Sequence, residues 1–399
     1  MTADWEVRRA RAWLSRALEP GSVGAWRYVE ESGPTAAVEA LRAGLAPSAV
    51  QALVGARAHE DVSEDDLRRA ERCGARLVVP EDDEWPGMAL HCLTVAALQQ
   101  AAARAGGAQA VDRTQSLVPP LALWVRGGDL SLDEALDRAV ALVGSRASTA
   151  YGEHVAAEFA HGLGERGWTT VSGGAYGIDA ASHRGALAAG APTVAVLACG
   201  VDRVYPASHS ALFSRILDDG MLVSEWPPGC APLRHRFLVR NRLIAALTRG
   251  TVVIEAAARS GALATAHRAR DLGRTVMAVP GPVTSAMSAG CHQLLRETEQ
   301  DSPAVLVASA ADVAQTVGRF GDDLAPLPDR PADPRDDLSD VARRVLDACP
   351  VRRGAPPERL AAVAGVAVVD VLRVLPALEV AGLVEWTGTG WRITPPPPP

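Results

Sequence analysis

From residue 139 onward the chain repeats one arrangement: a short apolar run, a turn rich in glycine or serine, and a longer helical stretch. The apolar runs are Val140–Val143, Thr169–Ser172, Thr193–Leu197, Met221–Val223, Thr251–Ile254, Thr275–Val279 and Ala304–Val307. Most are continuous rather than alternating, the pattern of strands buried on both faces. The stretches between them hold a dozen residues or more, enough for crossover helices. This predicts an α/β fold with a doubly wound, mostly parallel sheet over residues 139–320.

The remainder divides around that core. A length of 399 residues leaves room for about two or three domains. Residues 1–62 show an irregular helical pattern (Trp5, Trp13, Leu14, Leu18, Trp26, Val29, Leu41) broken at Pro20-Gly21, Gly33-Pro34 and Pro47, which predicts a small helical module. Residues 63–138 read as connecting strands, Ala75–Pro80 and Leu121–Val125, around a variable insertion or loop at Ala96–Gln115. Residues 321–337 are rich in Pro and Asp and read as a linker. Residues 338–394 give three helices (Leu338–Ala348, Pro356–Ala364, Val368–Ala381) and two short strands (Leu383–Trp386, Gly390–Ile393), the order of a winged helix. Residues 395–399 are a proline tail expected to be disordered.

All 40 basic residues are arginine. The absence of lysine excludes a phosphate-loop lysine, a Schiff-base lysine and a lysine general base. The six cysteines are scattered without a CxxC pair, so neither structural zinc nor a disulfide framework is expected. No signal peptide precedes Arg11 and no apolar run approaches a membrane span, so a cytoplasmic protein is expected. The formal charge of −7 argues at first against a polyanion partner. Its distribution argues the other way. Residues 138–320 hold 17 Arg against 14 acids, and Cys230–Arg274 holds nine Arg against Glu255 and Asp271. A basic face inside an acidic chain points to a polyanion.

The motifs gather at one place. The run at 140–143 ends in Gly144-Ser145-Arg146, and the next leads into Ser172-Gly173-Gly174-Ala175-Tyr176-Gly177-Ile178-Asp179. Both lie at carboxyl ends of predicted parallel strands, where open α/β sheets bind ligands. Glycine lets a phosphate approach the backbone closely, and a helix N-terminus offers free N–H groups. Arg146 adds a bidentate phosphate donor, and Asp179 is placed to cap the helix that follows. The segment Pro232–Leu247 then sets Arg234, Arg240, Arg242 and His235 around Phe237 and Asn241. Arginines track phosphates, and an aromatic face stacks an unpaired base. Val252–Glu255 leads into Ser260-Gly261 at the same edge. Glu255 has no catalytic partner motif and reads as structural, so no catalytic residue, metal or cofactor is assigned.

Taken in order, G-S-R, SGGAYGID, FLVRNRLIAAL, VVIEA with SGALATA, and AVPG resemble the DNA-processing protein A (DprA/Smf) family over about residues 65–310. The resemblance implies a Rossmann-like core that binds single-stranded DNA, works as a homodimer through that core, and hands the strand to a RecA-type recombinase, notably in natural transformation. It carries the DNA contacts to Gly144, Ser145, Arg146, Ser172, Gly173, Gly174, Gly177, Arg234, Phe237, Arg240, Asn241, Arg242, Ser260 and Gly261. The N-terminal module would be SAM- or helix-hairpin-helix-like, although Pro20–Gly24 replaces the usual hairpin. Cys291-His292-Gln293 and Leu238 depart from the family pattern.

Three other readings compete. A nucleotide phosphoribohydrolase of the lysine-decarboxylase-like class would need a PGGxGTxxE loop, and a dinucleotide-dependent oxidoreductase a GxGxxG turn; the sequence has neither. A winged-helix transcription factor would need a basic third helix, whereas Val368–Ala381 carries Asp370, Arg373 and Glu379 and is expected to be interrupted by Pro376. A partner-contact role fits that segment better.

Overall fold

The computed structural model describes residues 2–105, 116–297, 303–319, 335 and 338–395. Nine strands form one sheet: β1 (Ala75–Val78), β2 (Leu123–Arg126), β3 (Ala139–Gly144), β4 (Thr169–Ser172), β5 (Thr193–Val196), β6 (Met221–Ser224), β7 (Gly250–Glu255), β8 (Thr275–Ala278) and β9 (Val305–Leu306). Their order is β1-β2-β6-β5-β4-β3-β7-β8-β9. Every pair from β6 to β9 is parallel, while β1 and β2 add an antiparallel margin beside β6. The chain winds outward from β3 through β4 and β5 to β6, then returns to place β7 on the other side of β3, as the doubly wound reading requires.

The continuous apolar runs find their cause here. In β3, Ala139, Ala141 and Val143 enter the core on one face with Leu243 and Ile244, while Val140 and Leu142 meet Phe159, Leu163 and Ile178 on the other. Successive side chains of a strand point to opposite faces. Both faces are covered by helices, so every position is apolar.

The N-terminal helices (Trp5–Ala17, Val23–Ser32, Pro34–Ala43 and Ser48–Val54) bury Trp13, Leu14, Leu18, Val29 and Leu41 among themselves. They belong to the same compact unit as the sheet, residues 1–325. Arg8 pairs with Asp82 at 2.7 Å, Arg11 with Glu81 at 2.7 Å, and Ala12 enters the core beneath β1 and β2.

Residues 326–399 form the second unit. Its helices Asp340–Ala348, Pro357–Ala364 and Val368–Val380 enclose Val345, Leu360, Val371, Leu375 and Leu378. The strands β10 (Val384–Trp386) and β11 (Trp391–Ile393) follow as an antiparallel hairpin. The third helix runs through Pro376 without a break, a correction to the expected interruption.

A second correction concerns Ala96–Gln115. Its first ten residues complete a helix, Gly87–Ala105, because Ala, Leu and Gln are strong helix formers and Leu90, Leu93 and Ala97 give that helix a buried face. Residues 106–115, nearly all of the 321–337 linker and residues 396–399 of the tail lie outside the described residues. Among the described residues no single helix is long and apolar enough to cross a membrane.

Candidate functional site

The loops after β3, β4, β5 and β6 lie side by side at the carboxyl edge because these strands are neighbours in that order. After β3 the chain turns tightly. A side chain at Gly144 would come within 2.4 Å of Ile178 and 2.8 Å of the Glu255 carbonyl. Ser145 donates its N–H to the Glu255 carbonyl at 2.7 Å and accepts the Ile178 N–H at 3.2 Å. Ser145 is thereby buried and Arg146 is left in solvent. Glu255 is buried and accepts from the Thr149 backbone N–H (2.9 Å) and hydroxyl (2.8 Å). Its role is the structural one read from the sequence: it fixes the start of helix Ala150–Gly164.

The glycine loop after β4 is tied down from beneath. Ser172 donates to the Leu142 carbonyl at 2.7 Å. Gly174 and Gly177 both hold positive φ, and a side chain at Gly177 would meet the Ser145 carbonyl at 2.3 Å. The N-cap of helix Ile178–Ala188 is Gly177, not Asp179. The Asp179 carboxylate instead accepts the N–H groups of Gly173 (3.2 Å) and Ala175 (3.3 Å). Burial pushes its pKa up, against the pull of Arg240. The Gly173 N–H and the first N–H of that helix are therefore spent inside the protein, where the sequence reading had offered them to a phosphate.

Helix Arg234–Ala246 divides the expected contacts into two groups. In its first turn Arg234 is exposed and Phe237 half-buried, and the Arg146 guanidinium lies 5.2 Å from the Phe237 ring centre. The other arginines of the helix point inward, Arg236 already within the first turn. Arg236 pairs with Glu19 of the N-terminal module and lies 5.3 Å from the Trp226 ring centre. Arg240 donates to the carbonyls of Gly173 (3.0 Å) and Val196, and burial draws its pKa down to about 10. Arg242 is 0% exposed and donates through both terminal nitrogens to Glu225, each at 2.7 Å. Arg240 and Arg242 are corrected from phosphate contacts to parts of the frame beneath the edge. Asn241 reaches the Gly261 carbonyl at 3.5 Å, which brings the loop after β7 alongside. There Ser260 caps helix Gly261–Asp271 by accepting the Ala262 N–H at 3.2 Å, and Gly261 faces open space.

His183 lies in the same buried layer. Its Nδ1 is 2.7 Å from the Thr193 hydroxyl, and its Nε2 has no hydrogen-bond partner among the described residues. Burial, with His209 and Arg240 nearby, draws its pKa down to about 3.

Four of the nine arginines of the basic run meet acids from outside it. Glu19 meets Arg236, Glu225 meets Arg242, Asp137 meets Arg249 and Glu297 meets Arg270. Arg146, Arg203, Arg234 and Arg259 remain exposed, with no carboxylate partner among the described residues. The sequence reading included Tyr176 within the glycine loop but passed over Arg203 and Tyr205, which lie in the turn after β5. Within the departure at 291–293, Cys291 is buried against Val253, His292 Nε2 is 3.0 Å from the Gly281 carbonyl, and Gln293 is exposed.

Comparison with known proteins agrees with this architecture. Residues 109–318 match the model of the family described as DNA recombination-mediator protein A. A DNA processing protein DprA of Mycobacterium tuberculosis is 48% identical over 385 residues, covering 96% of this chain and 94% of the relative. Protein Smf of Escherichia coli is 37% identical over 277 residues, covering 68% and 71%. The crystal structure of DNA processing protein A from Streptococcus pneumoniae superposes with a TM-score of 0.61 at 28% identity, covering 80% of this chain and all of that one. With half of its length matched by the family model and nearly all of it by a close relative, the chain belongs to the DNA recombination-mediator protein A family.

Proposed function

We propose that the carboxyl edge of β3–β6 binds single-stranded DNA and presents it to a RecA-type recombinase, without covalent chemistry. The observation that carries this reading is the half-buried Phe237 with the exposed Arg146 guanidinium over its ring, together with the exposed Arg203, Arg234 and Arg259 in the turns of the same edge and in the first turn of helix Arg234–Ala246. An aromatic face stacks a base of any identity, and guanidinium groups follow the phosphates on either side. Duplex DNA fits such a site poorly because its bases are already stacked. Gly144, Gly174 and Gly177 hold the loops close enough together to form the edge, Ser260 and Gly261 extend it, and Ser172, Gly173, Arg240, Asn241 and Arg242 hold it rigid. Delivery to the recombinase accords with the family's description as a recombination mediator, and a homodimer through the sheet-bearing unit is what the motif resemblance implies. The phosphoribohydrolase alternative is not favoured: the carboxylate at this edge that could act as base, Glu255, is buried and engaged by Thr149.

The test is fluorescence anisotropy on labelled oligo-dT and a matched duplex from about 50 to 300 mM salt, where each phosphate contact contributes about −0.7 to the logarithmic slope for single strands. Tighter binding to oligo-dT with a negative salt slope is expected. Equal affinity for the duplex, or no binding at the lowest salt, overturns the reading.

A further inference from the structure

We infer that Tyr205 is a second base-stacking platform, so that the site holds at least two successive bases in a row along the sheet edge. The inference rests on the single-strand reading above and gives that strand a direction.

Three aromatic side chains follow three adjacent strands: Tyr176 in the loop after β4, Tyr205 in the loop after β5 and Phe237 in the first turn of the helix after β6. Tyr205 is 45% exposed and Tyr176 48% exposed. The Tyr205 ring lies 5.5 Å from that of Phe237 at an angle of 50°, and the Arg146 guanidinium sits 5.2 Å from the same Phe237 ring. Phe237 is thus bracketed by a cation and a second aromatic, and both neighbours open to solvent. The Tyr176 hydroxyl is 2.7 Å from Ser208 Oγ, and its ring meets His209 edge-on at 4.8 Å. His209 is in turn buried, with Nδ1 3.2 Å from the Gly174 carbonyl. These contacts fix the loop after β4 to the loop after β5, so the row keeps its shape without a ligand.

Tyr205 is 45% exposed beside a stacking residue, with Arg203 two residues away in sequence. A strand seated on Phe237 therefore continues onto Tyr205, with its phosphates beside Arg203, rather than leaving the surface along helix Arg234–Ala246. Apart from Arg234 the arginines of that helix offer a nucleic acid little, because Arg236, Arg240 and Arg242 are all buried.

The experiment compares oligo-dT binding by the full chain, Tyr205→Ala, Tyr205→Phe, Phe237→Ala and the Phe237→Ala/Tyr205→Ala pair, each checked for an unchanged melting temperature. Tyr205→Ala is expected to weaken binding about tenfold with the salt slope unchanged, and Tyr205→Phe to restore it, because the ring face and not the hydroxyl is used. Because the two rings are in contact their losses need not multiply, but the pair should bind more weakly than either alanine variant alone. If Tyr205 only props up Phe237, the pair binds no more weakly than Phe237→Ala alone, and the inference is overturned. Unchanged binding by Tyr205→Ala overturns it too. Neither result touches the single-strand reading, which fails only if the unsubstituted chain does not prefer oligo-dT.

Discussion

The first turn of helix Arg234–Ala246 and the body of the same helix carry the same residue type to opposite ends. Arg234 stands in solvent beside Phe237, whereas Arg242, only two turns on, is sealed against Glu225. The spacing of the arginines does not separate the two. What separates Arg234 from Arg242 is an acid met by one and not the other, and such acids arrive from elsewhere in the chain: Glu225 from the loop after β6 for Arg242, as Glu19 from the N-terminal module does for Arg236 within the first turn. A buried guanidinium keeps its place only with a partner, since an unpaired buried charge is strongly unfavourable. The body of the helix should therefore answer to stability and pH, and the first turn to nucleic acid and salt.

Four measurements would break or sharpen that contrast. The largest effect is expected from Glu225→Ala, which leaves Arg242 charged and alone. It should cost about 3–5 kcal/mol of stability, read as a lower midpoint in chemical denaturation. The Glu225→Leu/Arg242→Met pair should recover much of that loss, and a Glu225→Ala midpoint equal to the parent would show that Arg242 is not confined. Next comes His183. Its folded pKa near 3 lies below the ordinary value of 6.5, so the unfolded chain binds the extra proton first. Its contribution is present above about pH 6.5 and is lost progressively as pH falls toward 3. Between pH 7 and 5 the loss is about 2 kcal/mol, and His183→Asn should flatten that dependence; parallel curves for the two proteins would count against it. Phe237→Ala should weaken oligo-dT about tenfold while moving the denaturation midpoint little, because the ring is only half-buried. The smallest effect is that of Arg234→Ala, a several-fold loss at low salt with the slope shallower by about 0.7. Arg242→Met in the Glu225→Leu background should leave the slope unchanged, and an altered slope there would place Arg242 on the DNA.

Much of the core was legible because burial on both faces of a parallel sheet leaves a simple trace. Seven apolar runs became β3–β9 with no end displaced by more than one residue. The position of the site was legible for a related reason: carboxyl-edge loops in such a sheet need glycine, and Gly144, Gly174 and Gly177 mark them. Which side chains face the solvent was not. Apolar residues and arginines alternate around helix Arg234–Ala246 without a polar stripe, so no periodicity shows that its body is buried. Asp179 had the position of a capping residue, but its carboxylate turned back to the Gly173 and Ala175 N–H groups, a choice made by the loop's shape. Tyr205 was passed over because a half-exposed aromatic in a loop has no repeating neighbour to mark it.

The contact between Glu19 and Arg236 has a consequence for anyone dissecting this protein by deletion. Removing the N-terminal helices would not merely shorten the chain. It would strip the acid from Arg236 and take the Glu19 acceptor from the Trp226 indole N–H, releasing a new positive charge one residue from the stacking ring. A truncated protein should grip polyanions of every kind more strongly while losing the rigidity that favours an unpaired strand. Discrimination, rather than affinity, is then the property by which the N-terminal helices reveal their contribution.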